Sequence, residues 1–300
     1  MTLLFSKPAK WLAALLVLAL GALAYAYFIE PRRLVVVEDT IYIRNWDPAF
    51  DGLRIAMIGD IHGGSNAVTE EKIREVVART NQQDPDVIVL LGDYVSQVRG
   101  PEPLDQRGLK MPVQVVAENL KGLKARYGVF AVLGNHDGWY GEQNVAAALE
   151  ADGYKVLQNE VAFIEKDGRR VRIYGMKDHL ALKGGWLQTS AEARNNLKDT
   201  GHGDLIVLQH SPDMLPVISG EFSISPELRL LLAAHTHGGQ VWLPILGRPM
   251  IPSGYGQKYA YGHVFDRNVD VWVTSGIGTS VLPIRFMVPP EIAVVTVKRG

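Results

Sequence analysis

The chain has 300 residues, 47% hydrophobic and 21% charged, with a net charge of −1; that is enough for one large globular domain or two small ones. Near-neutrality, with no long lysine or arginine block, excludes a bulk field that would gather nucleic acid or an anionic membrane surface. There is no cysteine, so disulfides and thiolate metal sites are excluded, although that absence does not locate the protein.

The first element is WLAALLVLALGALAYAYFI, Trp11 to Ile29, which carries no charge. As a helix its 19 residues span roughly 28 Å, about the thickness of a bilayer core. Trp11, Tyr25 and Tyr27 lie towards its ends, where aromatic rings favour the interface. A cleaved signal peptide is the alternative: Lys7 and Lys10 would form its basic region, and Ala24-Tyr25-Ala26 resembles a cleavage site. Either way the following chain is expected across the membrane. Basic residues flank both sides of the stretch, so charge alone leaves the orientation open.

PRRLVVVEDTIYIRNWDPAFDG reads as a linker joining a first strand pair. From Leu53 the pattern is regular. LRIAMIGD is an apolar strand ending in Gly-Asp, and TEEKIREVVARTNQQ is a helix with Thr69 as N-cap and Glu70 and Glu71 in its first turn. PDVIVLLGD is a second buried strand, VQVVAENLKGLKARYG a helix, VFAVLGNHD a third strand and QNVAAALEADG another helix. RVRIYGM, DLIVLQH, LRLLLAAH, DVWVTSG and IAVVTV read as later strands. Continuously apolar strands alternating with helices predict an α/β domain with a mainly parallel sheet covered on both faces.

Five strand ends carry Asp, Asn or His: Gly59-Asp60-Ile61-His62, Gly92-Asp93, Gly134-Asn135-His136-Asp137, Gln209-His210 and Ala234-His235-Thr236-His237. In open α/β sheets ligands bind at the carboxyl edge, where these ends meet. Carboxylate and imidazole donors suit zinc, iron or manganese. There are too many for one ion; they suit two, about 3.5–4 Å apart, sharing a carboxylate. An extended backbone would turn Asp60 and His62, two residues apart, to one side, and likewise His235 and His237. A lone Gly-Asp after a strand is usually a turn, so the weight rests on the combination.

GDIH, GDYV, GNHD, His210 and HTHGGQ, in this order, resemble the five motifs of the calcineurin-like metallophosphoesterases. GIGTSVLPIRFMVPPEI, Gly276 to Ile292, resembles the C-terminal segment of a bacterial, membrane-anchored branch. The resemblance implies an αββα sandwich, two mixed β-sheets face to face with helices outside. It divides the chain into residues 1–29 as N-terminal transmembrane anchor or signal peptide, 30–50 as linker and first strands, and 51–300 as the metallophosphoesterase domain. It also implies that Asp60, His62 and His237 hold one divalent metal, that Asn135, His210 and His235 hold a second, and that Asp93 bridges them. His136 would serve the substrate or leaving oxygen, with Asp137 orienting it by accepting its second N–H. Ala234 stands where the family usually has glycine, a small steric change expected to be tolerated. The implied activity is a phosphohydrolase, a phosphodiesterase or pyrophosphatase, in which a metal-bridging hydroxide attacks phosphorus without a phosphoenzyme. The fold alone does not choose among phosphate esters.

The apolar run VWLPILGRPMI, Val241 to Ile251, follows the last motif directly. It is expected to border the site and to meet the bilayer or an acyl chain, which would admit a lipid headgroup diester or lipid-linked pyrophosphate; the alternative is a loop packed on its own sheet. Arg285 and Lys258 are possible phosphate contacts. His179, His202 and His263 read as structural. The localisation expected is the cell membrane, with a single-pass anchor and an extracytoplasmic catalytic domain. Nucleic acid is not an expected partner. A non-catalytic, metal-bound interaction domain is the alternative function, and the presence of His136 counts against it.

Overall fold

The computed structural model describes residues 7–178 and 185–300. Its elements are α1 (Lys7–Ala24), β1 (Val35–Ile43), β2 (Leu53–Ile58), α2 (Glu70–Asn81), β3 (Val87–Leu91), α3 (Val113–Leu120), β4 (Val129–Val132), α4 (Asn135–Tyr140), α5 (Glu142–Ala151), β5 (Lys155–Val156), β6 (Glu160–Lys166), β7 (Arg169–Gly175), α6 (Gly185–Leu197), β8 (Leu205–Leu208), α7 (Leu215–Ile218), β9 (Leu228–Ala233), β10 (Gly262–Asp266), β11 (Val269–Val273) and β12 (Glu291–Arg299). The Thr69 hydroxyl caps α2 by accepting from the Lys72 N–H, as the sequence predicts.

Two mixed six-stranded sheets result, ordered β1-β12-β2-β3-β4-β5 and β10-β11-β9-β8-β7-β6. The bottom-up reading of one mainly parallel sheet is corrected to two sheets, as the family resemblance implies. Strand alternation explains the layers. Ile55 and Met57 of β2 and Leu230 and Leu232 of β9 share the core between the sheets. Ala56 and Ile58 point the other way, into a core with Ile73, Val116 and Leu149 of the helices. Leu231 and Ala233 likewise turn outward to Ala193 and Leu197 of α6. With apolar side chains on both faces, each strand reads as a continuous hydrophobic run, so one sheet and two look alike in sequence.

Residues 30–50, expected as linker and first strands, contain β1, which pairs in parallel with β12 from Val35↔Glu291 to Ile43↔Arg299. β12 runs antiparallel to β2, with Ala293 opposite Met57. The start of β1 therefore lies beside the end of β2. The helical segment Lys10–Arg32, 23 residues long and apolar enough to cross a membrane, enters the domain at the sheet edge where β2, β3 and β4 end.

Candidate metal centre

The loops after β2, β3, β4, β8 and β9 bring the sequence-predicted residues Asp60, His62, Asp93, Asn135, His210, His235 and His237 together. Six are buried and His235 is half-buried. Two imidazole pairs stand on either side of Asp93: His62 Nε2 lies 3.1 Å from His237 Nε2, and His210 Nε2 lies 3.2 Å from His235 Nδ1. The Asp93 Oδ2 atom is 3.5 Å from His62 Nε2 and 3.3 Å from His210 Nε2. Asp60 Oδ1 is 3.9 Å from the Nε2 atoms of both His210 and His237. Asp60 Oδ2 and the Asn135 Oδ1 oxygen are buried without a hydrogen-bond partner. Orphaned buried acceptors are rare, and acceptors converging with paired ring nitrogens form a donor set that fits divalent cations.

The backbone differs from expectation. The ends of β2, β3 and β9 are not extended at their ligating positions: Asp60, His62, Asp93, His235 and His237 all have positive φ, between 46° and 70°. Left-handed backbone on non-glycine residues costs of order 1 kcal/mol or more each and concentrates at functional sites. The turns that aim these side chains are therefore tight αL turns. Gly59 leaves the space that Ala234 fills: a β-carbon at Gly59 would lie 2.6 Å from the Ala234 methyl. At Gly134 a β-carbon would come within 2.3 Å of Asp93 Oδ1, so only glycine fits against this carboxylate.

Electrostatics favour neutral imidazoles at His62 and His237 and a strained carboxylate at Asp60, whereas at His210 burial is outweighed by the Asp93 carboxylate, which holds that imidazole well above the usual histidine range. Burial, followed by repulsion from His136, pushes His62 down to about 3; burial and His62 hold His237 well below the usual histidine range. Both keep a lone pair for a cation. Burial, to which the Asp93 charge adds, pushes the Asp60 carboxyl up to about 7, a cost that a nearby cation would reverse.

Asp137 does not orient His136, contrary to expectation. Its carboxylate accepts four backbone N–H bonds, from Asp93 and Gly134 at one oxygen and from Tyr94 and Val95 at the other, at 2.8–3.3 Å. It clamps the loop bearing Asp93 to the turn bearing Asn135. The partner of His136 is Gln97, which sequence reasoning missed: Gln97 Oε1 lies 2.6 Å from His136 Nδ1, and Gln97 Nε2 donates to the His136 carbonyl at 2.8 Å. A carbonyl only accepts, so the second bond fixes the amide orientation and places a proton on His136 Nδ1. The signal was faint: Gln97 follows Asp93 by four residues in GDYVSQ, with no periodicity to mark it. Trp139 adds an edge-on contact to the His136 ring at 4.7 Å.

A cavity of about 500 Å³ opens over this floor, lined by Asp93, Asn135, His136, His235 and His237, with walls that include Trp139, Val241, Met250, Ile251, Val281 and Leu282. The expected apolar run therefore does border the site, joined by Val281 and Leu282. Arg285 and Lys258 are corrected as phosphate contacts. Arg285 is fully buried and donates to the carbonyls of Ser275, Gly276, Gly278 and Val288, bracing the loop whose Gly278 N–H binds the Asp60 carbonyl at 2.6 Å. Lys258 pairs with Asp266 at 2.7 Å. His202 and His263 pair with Glu227 and Asp270, whereas His179 lies outside the described residues.

Residues 53–239 match the family model described as calcineurin-like phosphoesterase. The chain is 30% identical over 289 residues to the uncharacterized metallophosphoesterase YkuE of Bacillus subtilis, covering 96% of this chain and 93% of that one. It is 27% identical over 271 residues to phosphodiesterase YaeI of Escherichia coli, covering 89% and 90%. A zebrafish protein described as a transmembrane protein with a metallophosphoesterase domain is 27% identical, covering 96% of this chain and 62% of its own length. Among solved structures, the NAD nucleotidase NadN of Haemophilus influenzae aligns with a TM-score of 0.50 and 14% identity, over 75% of this chain and 45% of that one, a likeness of fold.

Proposed function

The chain belongs to the calcineurin-like phosphoesterases, metal-dependent hydrolases of phosphoric esters, and from that premise we propose that it is a membrane-anchored phosphodiesterase or pyrophosphatase acting on a lipid-linked phosphate ester. The observation that carries this reading is the buried cage centred on Asp93, opening into a cavity with polar floor and apolar walls. Asp60, His62 and His237 would hold one divalent ion and Asn135, His210 and His235 a second, with Asp93 shared. Bound there, manganese, iron or zinc would supply Lewis acidity for the phosphate oxygens and a nucleophile at neutral pH.

The chain's own residues do the rest. Asp93 and Asp60 concentrate negative charge where cations are needed. His136 keeps one proton at Nδ1, held by Gln97; burial lowers its hold on a second, so an imidazolium formed there gives up its Nε2 proton readily to the departing oxygen. The walls, Met250, Ile251, Val281 and Leu282, exclude water and accommodate an apolar group next to the phosphate. The membrane part is supported by α1, whose Trp11, Leu16 and Leu18 are exposed, and by the docking of Ala26, within the alternative cleavage site, against Arg285. We place the catalytic domain on the extracytoplasmic face.

The test is metal analysis with hydrolysis of a soluble aryl phosphodiester by the wild type and His136→Ala. Two bound metals, turnover by the wild type and a loss of about 10²–10⁴-fold in the variant are expected. Two metals with no turnover on any phosphate ester would remove the hydrolase reading.

A further inference from the structure

We propose that the rim of the cavity is a bilayer seat: two apolar loops, Leu243–Gly247 and Ser280–Met287, rest in the acyl region of the leaflet that receives the anchor, so that the metal centre faces the membrane. The inference rests on the anchor of the reading above and adds the orientation of the site relative to it.

Three observations carry it. The first is exposure. Ile245 is fully exposed, and Leu246 and Val281 are 73% and 74% exposed. Leu282 and Met287 are also exposed. Scattered single apolar residues need no explanation, but two exposed apolar loops bridged by Val241 and Phe286, one of them lining the cavity through Val281 and Leu282, mark an interaction surface.

The second is strain. Leu243 and Gly247 exchange both backbone hydrogen bonds at 2.8 Å, closing a three-residue turn. At its tip Ile245 has φ of 74°. A β-branched residue in the left-handed region is an outlier, and glycine or asparagine would sit there without strain. The isoleucine gains no burial inside the protein to offset that cost; lipid would provide it.

The third is continuity with the anchor. The two loops are stitched together: the Trp242 N–H donates to the Phe286 carbonyl at 2.9 Å, the Phe286 N–H donates to the Gln240 carbonyl at 2.9 Å, and the Gln240 side chain donates to the Leu282 and Ile284 carbonyls. The second loop is in turn tied to the base of the anchor. Arg285 N–H donates to the Ala26 carbonyl at 3.0 Å, Asn66 Nδ2 donates to both the Tyr27 and Pro283 carbonyls, and the Tyr25 ring meets Phe286 edge-on at 6.2 Å. Because β1 starts at the carboxyl edge of β2, the membrane comes to the domain on the metal-site side. Apolar side chains held at the membrane-proximal end of an anchor enter the interface to roughly 5–10 Å depth.

The chain has no cysteine, so single cysteines can be placed freely. Full-length Ile245→Cys, Met287→Cys, Trp11→Cys and Tyr42→Cys, each carrying a fluorophore, are reconstituted in phosphatidylcholine vesicles with a quencher on the acyl chains. Tyr42 is exposed at the opposite sheet edge, paired with Lys298. Quenching at positions 245 and 287 that approaches that at Trp11, and is at least about twofold above Tyr42, is expected for side chains at this depth. Quenching at 245 and 287 no greater than at Tyr42, with Trp11 quenched and soluble-diester hydrolysis intact, overturns the seat and leaves the anchored hydrolase standing. No quenching at Trp11 overturns both seat and anchor, and hydrolysis of the soluble diester then tells whether the enzyme reading survives.

Discussion

Replacing Gln97 with leucine removes both bonds that hold His136 while keeping side-chain volume. Gln97 is buried, and its amide spans the 2.6 Å contact to Nδ1 and the 2.8 Å bond to the carbonyl. Leaving that carbonyl without its donor costs about 1–3 kcal/mol of stability. Loss of the partner that orients a working histidine typically costs 10–100-fold, or about 1.4–2.7 kcal/mol of barrier. The kinetic cost should depend on the leaving group. An alkoxide needs a proton as it departs, whereas p-nitrophenolate leaves without one, so kcat should fall about 10–100-fold with an alkyl leaving group and only a few-fold with p-nitrophenyl. Gln97→Glu restores an acceptor at Nδ1 and should recover much of the alkyl rate. Steady-state kinetics on both esters, with thermal unfolding as the folding check, make the measurement. Equal losses on the two leaving groups would refute the positioning role of Gln97 and reduce it to a structural bond.

Two further expectations concern the cage. Asp137→Asn turns one acceptor oxygen into a donor and strands two of the four backbone N–H groups now bound. At about 1–3 kcal/mol each, the loss of stability should be roughly 2–6 kcal/mol by urea unfolding, with weakened metal binding as the Asp93 loop loosens; a loss below about 1 kcal/mol would argue against the clamp. Metal affinity should rise with pH through the Asp60 value of about 7 and go on rising beyond it, because a cation must displace the proton that burial favours on Asp60 and the one that Asp93 holds on His210. Titration calorimetry should give binding at least about tenfold weaker at pH 6 than at pH 8, and a flat profile across that range would show that neither Asp60 nor His210 holds a proton without metal.

The motifs were legible because each sits at a strand end, where apolar runs make Asp60, Asp93 and His210 stand out. Sequence did not show the backbone that aims them. His62 and His237 converge through left-handed turns that no periodicity encodes, and the expectation of extended strands failed there. Asp137 and Gln97 exchanged roles for a related reason: Asp137 is adjacent to His136 in sequence, but the first turn of α4 directs its carboxylate back to the N–H groups of residues 93–95, and the loop after β3 delivers Gln97 instead. Arg285 was misread because a lone cation near a phosphate site suggests a ligand, and only tertiary packing shows its guanidinium spent on carbonyls. The division into two sheets was hidden by strands apolar on both faces; the family motifs, not the hydrophobic pattern, pointed to it.

The pairing of β1 with β12 has a consequence for how the chain is made. Until residues 291–299 have emerged, β1 has no neighbour and β2 presents an open edge, although the ligands at 60 and 62 were synthesised long before. The chain therefore spends most of its synthesis with its first strand waiting. The first sheet closes late, when the strand that lies between β1 and β2 arrives.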